Sequence, residues 1–364
     1  MINLEMIQSL ARMYNVPNED VLFVALNVYG AAYKCDFNRM RMGVRTADTE
    51  IFKYSHTLGI NDFYFALAIN ESSPFSVTDG KLLFDNREIA DAIDPSEDFC
   101  DSNYPRRNGT VLNINPNSRT SCRGCKFCYT GYQVPRDMKR MACAADITEF
   151  FEGWMKENKL LDLSNLIQVA VVTGCYNTND ELSSFLILLR DILKQYKFEG
   201  EIFYLGSQII NKETLQKLET IQPFCYCISL ECFENRNMLL RDKKSSMTLE
   251  SAFKLMAFAK SIGHRVNFSY VLGLEPLFTV EKYFMLAKEY INSFPIVNTI
   301  QLHKYHSVSL LTPEAVNIEY FFKVRKILEK IFADTDMRPK EWENYRSLWF
   351  LKFGEEKLTG IRTP

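Results

Sequence analysis

The chain has 364 residues, of which 47% are hydrophobic and 24% charged, and a net charge of −2. That length buries a sizeable core in two or three domains, or in one barrel with additions, and the near-neutral balance excludes a general electrostatic reason to bind nucleic acid or an anionic membrane. No uninterrupted apolar run approaches the roughly 20 residues that span a bilayer, and the first ten residues lack the basic-then-apolar order of a secretory signal, so a cytoplasmic location is expected.

Residues 1–107 predict an α+β extension. A helical stretch opens it, an apolar run follows at 21–28, and Asp79-Gly80 within 75–84 carries a hairpin turn signal. Arg39, Arg41 and Arg45 cluster there, but Asp48 and Glu50 follow, and the group is expected to be a solvated face. The Pro105-to-Gly109 segment is the expected boundary.

From about residue 110 short β-like runs alternate with helical patterns. Strands are predicted at 110–115, 166–173, 201–205, 224–230, 265–272 and 298–304. The second is nearly all apolar, as in a strand covered on both faces. Helices are predicted from a cap at Asn179, over about 212–219, from Thr248 to a C′ glycine at Gly263, and from Thr279. Six β/α units in series predict a parallel sheet with helices outside it, either an open doubly wound sheet or a barrel. Both place their active sites beyond the C-terminal ends of the strands. Residues 311–364 predict a C-terminal helical segment, with Trp342, Trp349 and Phe350 packing back on the core.

Ten cysteines in a chain without a secretory signal do not suggest a disulfide framework. Most of them, including Cys175, are expected as small buried hydrophobes. Strand alternation puts Cys225 and Cys227 on one face, where core packing or a metal pair is expected. Three are different. Cys122, Cys125 and Cys128 lie within seven residues, in Ser121-Cys-Arg-Gly-Cys-Lys-Phe-Cys-Tyr129, with no histidine or fourth cysteine beside them. Three thiolates without a nearby fourth suit a cubane iron–sulfur cluster with one iron left open. A bacterial ferredoxin run has a fourth Cys where this chain has Tyr132, and a zinc site would need a second ligand pair.

A cysteine loop joined to a β/α series resembles the radical S-adenosylmethionine (SAM) enzymes, which carry C-x3-C-x-aromatic-C after the first strand of a partial (β/α)6 barrel. Cys125-Lys-Phe-Cys128 matches the second half, with Phe127 at the aromatic position; the first gap is two residues here rather than three. The resemblance covers about residues 110–305. It implies a partial (β/α)6 TIM-like barrel over 108–310 and a [4Fe–4S] cluster on the three cysteines, with SAM completing the open iron. Thr173-Gly174 stands where the family binds the methionine amino group. Ser229, Glu231, Arg236 and Arg241 stand where a strand-four acid and a following arginine hold the ribose or the amino-acid part, and a guanidinium fork suits the carboxylate. Gly273 stands at the strand-five glycine beside the adenine. His303 and Tyr305, on or after strand six, are expected to reach the substrate, with His306 and Tyr176 as further candidates.

The implied activity is reductive cleavage of SAM to a 5′-deoxyadenosyl radical that takes hydrogen from a small-molecule or peptide substrate. Flavodoxin or ferredoxin is the implied electron donor, and neither nucleic acid nor membrane is expected as a partner. Two alternatives stand beside it: transfer of the aminocarboxypropyl group of SAM, and a non-catalytic module holding zinc on the triplet and Cys143.

Overall fold

In the computed structural model, residues 2–119, 122, 124–136, 140–344 and 346–354 are described. Helix α1 (Leu4–Tyr14) starts at Asn3, whose side chain accepts from the Met6 N–H. The apolar run at 21–28 lies in α2 (Asn18–Tyr29), which follows Pro17 and is buried along nearly its whole length. A helix apolar on every side must be enclosed. Its two acids are accordingly paired: Asp20 meets Arg325 at 2.5 Å, and Glu19 accepts from the Ser55 N–H.

An antiparallel sheet follows, built from β1 (Arg39–Thr46), β2 (Asp62–Ala68), β3 (Phe75–Thr78), β4 (Lys81–Phe84) and β5 (Arg87–Glu97), in the order β2-β1-β5-β4-β3. The short helix α3 (Lys53–Thr57) lies between β1 and β2. Asp79 and Gly80 both take positive φ, as the tight β3–β4 turn requires.

The second sheet contains β6 (Tyr104–Arg106), β7 (Val111–Ile114), β8 (Gln168–Val172), β9 (Glu201–Gly206), β10 (Phe224–Glu231), β11 (Arg265–Leu272) and β12 (Ile296–Thr299), in the order β12-β11-β10-β9-β8-β7-β6. Every pair from β7 to β12 is parallel, and β6 is antiparallel to β7. The segment expected to be a boundary is therefore the turn of the β6–β7 hairpin. All seven strands contribute to the wall of one internal cavity, so the sheet curls into a half-barrel around it.

The helices lie between the parallel strands: α4 (Ala144–Glu157), α5 (Asn179–Gln195), α6 (Lys212–Lys217), then α7 (Arg236–Leu239), α8 (Asp242–Ser245) and α9 (Leu249–Ser261) together, and α10 (Leu277–Ala287), with α11 (Glu319–Ile331) after β12. The cap of α5 is Thr178, one residue before the expected Asn179, and its side chain accepts from the Glu181 N–H. Leu182, Leu186, Leu189 and Leu193 of α5 are fully buried, each contributing about 1.5–3 kcal/mol. Thr248 and Gly263 bracket α9 as expected, whereas α10 begins two residues before Thr279.

The sixth strand is displaced from its expected place. It ends at Thr299, because Gln301 leaves the sheet and donates to the carbonyls of Asn27 and Ala66 in the N-terminal region. His303 and Tyr305 thus lie beyond the strand. The N-terminal ends of the parallel strands are closed by an ionic plug. Arg265 pairs with Glu201 at 2.6 Å and with Glu343 at 2.5 Å, and Gln168 donates to both acids. Trp342, Trp349 and Phe350 are buried, so the C-terminal segment does pack back on the core. The opposite end of the half-barrel carries the site.

Candidate active site at the C-terminal ends of the strands

Two adjoining chambers with shared walls occupy that end. The outer one, about 140 Å³, is walled by the cysteine loop, the exits of β8, β9 and β10, and Arg241 and Lys244. The inner one, about 200 Å³, runs down the half-barrel and is roofed by the N-terminal sheet. Phe127, Cys128, Thr130 and Glu231 line both, so the cysteine loop stands between them.

Local bonding fixes the loop. Asp101, buried beside it, accepts from the Ser118 hydroxyl and the Arg119 N–H. The Cys122 N–H donates to Arg119 O, Lys126 N–H to Leu239 O, and Cys128 N–H to Cys125 O. Gly124 has φ +110°, and a Cβ there would lie 2.6 Å from Arg241 Cβ, so only glycine lets the loop rest on that residue. Gly174 has the same use at the exit of β8, where a Cβ would lie 1.9 Å from Ser118 O. Ser121 and Arg123, inside the motif, fall outside the described residues.

Cys122, Cys125 and Cys128 all face the outer chamber, together with Phe127, Thr173, Gly174, Ser229, Glu231 and Arg241. Burial pushes the Cys122 and Cys125 thiols up, with Arg241 acting against this at Cys122 and Lys244 at Cys125. Arg241 donates to Cys175 Sγ at 2.8 Å, and its Nε is buried without a hydrogen-bond partner among the described residues. Contrary to expectation, Cys175 is exposed and lines the chamber. Glu231 has φ +68° at a register break between β10 and β11. Such a bulge re-aims a side chain at a cost of order 1–3 kcal/mol. Its carboxylate accepts from Lys244 at 2.7 Å. Burial pulls Lys244 down, but Glu231 and the Cys125 thiol more than offset it and leave its pKa raised.

Three residues expected at the site stand elsewhere. Arg236 is buried, and its guanidinium donates to the carbonyls of Leu230, Cys232, Lys244 and Met247. That fork is consumed in folding the β10 exit and does not reach either chamber. Gly273, with φ +105°, packs against Ile300, where a Cβ would lie 2.6 Å from Cγ2, and lines neither chamber. Tyr305 is 41% exposed, accepts from the Asn38 amide and stacks on Tyr132 at 4.6 Å.

His303 does line the inner chamber. It is 3% exposed, stacks on Tyr129 at 5.2 Å, and has Nδ1 3.4 Å from Asn38 O. Burial, then the charge of Arg39, holds it well below the usual imidazole range. Neither His306 nor Tyr176 reaches a chamber.

The expectation of a solvated face fails for two of the three N-terminal arginines. Arg39 and Arg41 are 6% and 8% exposed and line the inner chamber, while Arg45 lies outside it and pairs with Asp62. Asp98 binds Arg39 Nε at 2.7 Å and Arg41 Nε at 2.6 Å. Arg39 also lies 4.3 Å over the Tyr129 ring, and Tyr129 donates to Asp98 O. This cluster ties the N-terminal sheet to the residue after Cys128. Sequence reasoning missed Lys244, Arg119, Thr130 and Arg346 as well. The one available signal was the period-two spacing of Arg39 and Arg41 in a strand.

Cys225 and Cys227 are buried with Ala170, Phe203 and Ile296 as core. Cys143 caps α4, its Sγ bonded to Asp146, and lies in neither chamber. Among the described residues no group of three His, Cys, Asp or Glu is set to hold a single metal ion, and no helix is long and apolar enough to cross a membrane.

The donor chemistry of the outer chamber fits a cluster-and-cofactor pair. The three motif thiols and Cys175 line it with three cations, Arg119, Arg241 and Lys244, and Thr130 Oγ1 and Arg241 Nε are buried there without a hydrogen-bond partner among the described residues.

No family model matches the sequence, and no curated protein matches it. Among solved structures, the fold is similar to Streptococcus suis SuiB bound to the precursor peptide SuiA (15% identity, TM-score 0.44, covering 63% of this chain and 46% of that one). It is also similar to coproporphyrinogen III oxidase (HemN) of Escherichia coli, a radical SAM enzyme (14% identity, TM-score 0.38, 61% and 51%). A third is the radical SAM methyltransferase TsrM of Kitasatospora setae (10% identity, TM-score 0.36, 50% and 33%). The matched region spans about half or less of each of those chains.

Proposed function

We propose that this chain is a radical SAM enzyme built on a partial (β/α)6 barrel. One observation carries the reading: the three cysteines of an incomplete ligand set line a chamber with three cations, and that chamber shares a wall with a cavity inside the half-barrel. Cys122, Cys125 and Cys128 would hold a [4Fe–4S] cluster, which with SAM and one external electron would supply methionine and a 5′-deoxyadenosyl radical able to take hydrogen from a substrate.

The chain's own residues bind, orient and enclose. Arg241 is the cation placed to pair with the SAM carboxylate, because its Nε has no competing partner and its fork suits two oxygens. Glu231, braced by Lys244, faces both chambers and can accept from hydroxyls of the cofactor. Thr173 and Gly174 bring backbone to the wall, and Phe127 offers an apolar face. The N-terminal sheet excludes water from the inner chamber, where His303 is the ring placed to meet a small-molecule or peptide substrate. The electron donor is a flavodoxin or ferredoxin type of protein.

Anaerobic reconstitution with iron and sulfide, followed by SAM and dithionite, is expected to yield 5′-deoxyadenosine. Its persistent absence from a preparation with an intact cluster overturns the proposal, and methylthioadenosine in its place identifies aminocarboxypropyl transfer instead.

A further inference from the structure

The inner chamber carries a charge imbalance that the radical reading does not use. Five arginines line it: Arg39, Arg41, Arg106, Arg119 and Arg346. Of its three acids, Glu231 is paired with Lys244 and Glu343 with Arg265, both from outside the chamber. The third, Asp98, pairs with Arg39 and Arg41. His303 adds no further positive charge, since burial and then Arg39 push its pKa well below the usual imidazole range. An enclosed cavity with this excess of guanidinium focuses a positive field on whatever enters.

Arg346 is the clearest member. Its backbone is pinned, with the N–H donating to Asn298 Oδ1 and the carbonyl accepting from the Thr299 N–H. Its Nε is buried without a hydrogen-bond partner among the described residues. Burial, and then Arg39, push its pKa down to about 9. The acid that acts against this, Asp98, is already paired with Arg39 and Arg41, and a buried cation short of counter-charge is costly unless something else supplies it. Two hydroxyls lining the same chamber, Thr130 Oγ1 and Ser269 Oγ, are also buried without a hydrogen-bond partner among the described residues. Arg119 has one nitrogen on Cys100 O at 3.0 Å.

We propose that the inner chamber receives a compact anionic small molecule, whose carboxylate or phosphate group is bound by Arg346 and Arg119 with help from the two free hydroxyls. This rests on the radical SAM reading for its role as substrate, though not for its binding. A guanidinium fork recognises either oxyanion through two parallel N–H donors. Size favours a small molecule over a peptide. At roughly 10–15 Å³ for each water-sized group, the chamber holds on the order of fifteen such groups.

The test is calorimetric titration of the full chain with pyrophosphate, inorganic phosphate, citrate and succinate, with neutral succinamide as control. At least one anion is expected to bind with a Kd below about 1 mM, and the phosphate and carboxylate arms decide which oxyanion is preferred. Arg346→Gln and Arg119→Gln are each expected to weaken that anion about tenfold or more, as loss of a charge-assisted bond does, while R45Q leaves it unchanged. R346K, which keeps the charge and loses the fork, is expected to fall between. Thermal melting separates a waiting ligand group from a structural one, because Arg346 Nε has no hydrogen-bond partner to lose among the described residues and R346Q is expected not to lower Tm. Anions that bind no better than succinamide, binding confined to acidic peptides, or unchanged affinity in R346Q overturns the inference. Deoxyadenosine formation without anion binding overturns this inference alone. Anion binding without deoxyadenosine overturns the radical reading and leaves the anion site standing.

Discussion

Asp98→Asn tests whether the link between the N-terminal sheet and the cysteine loop is electrostatic. Asp98 follows β5, its side chain is 4% exposed, and it sits 2.7 Å from Arg39 Nε and 2.6 Å from Arg41 Nε. Burial acts to raise its pKa, but Arg41 and Arg39 overcome that and leave it lowered. Asparagine keeps the shape, and the backbone bonds from Tyr129 and Gln133 to Asp98 O do not depend on the side chain. What is lost is the counter-charge of two buried guanidinium groups. Removing one partner of a buried pair costs about 3–5 kcal/mol. At roughly 2.1 cal/mol/K per residue, unfolding 364 residues carries about 0.8 kcal/mol/K, so Tm is expected to drop by roughly 4–6 °C at neutral pH. Because the folded carboxyl has the lower pKa, its contribution is complete above the unfolded value near 3.9 and fades as pH falls through the folded value. The gap between wild type and D98N should therefore persist from pH 8 down to about pH 4 and narrow only below it. Differential scanning calorimetry across that range reads both. A drop under about 1 °C at pH 7, or a gap already closed at about pH 5, refutes the reasoning.

Cys125→Ser is expected to abolish the absorbance near 400 nm and nearly all bound iron after reconstitution, while far-UV circular dichroism stays unchanged because serine keeps the carbonyl that accepts from the Cys128 N–H. Arg236 and Arg241 should separate cleanly. R236M strands four carbonyls and is expected to destabilise by about 2–4 kcal/mol in thermal melts while the stable fraction still binds SAM; R241Q is expected to leave Tm within about 1 °C and to weaken SAM binding tenfold or more by titration. His303, held well below its unfolded value of about 6.5, stays neutral when folded. Its ring resonances are expected not to titrate between about pH 6 and 8 in NMR, and stability should decline as pH falls through 6.5, where only the unfolded state takes up a proton.

The parts of this molecule legible from sequence are those whose cause is local. The buried strands β8, β10 and β11 announce themselves because a strand covered on both faces needs an unbroken apolar run, and the run stops where the chain turns. The cysteine triplet is legible for a similar reason, since ligands of one cluster must be close, and closeness in a loop is closeness in sequence. What failed depended on distant partners. The sixth strand was expected to run to residue 304, but Gln301 is drawn away by carbonyls of Asn27 and Ala66, which no local window contains. Arg39 and Arg41 seemed to have counter-charges at Asp48 and Glu50; their real partner is Asp98, brought alongside when β5 pairs with β1. The loop after β10 failed more finely. Arg236, Arg241 and Lys244 are close in sequence and alike in charge, yet one knits backbone, one faces the outer chamber with its Nε unbonded among the described residues, and one braces Glu231. Side-chain type alone could not sort them, because two short helices, α7 and α8, decide which way each points. The cations that matter at this site are therefore those the fold leaves with donors to spare among the described residues, and that property becomes visible only once every carbonyl and carboxylate has been assigned.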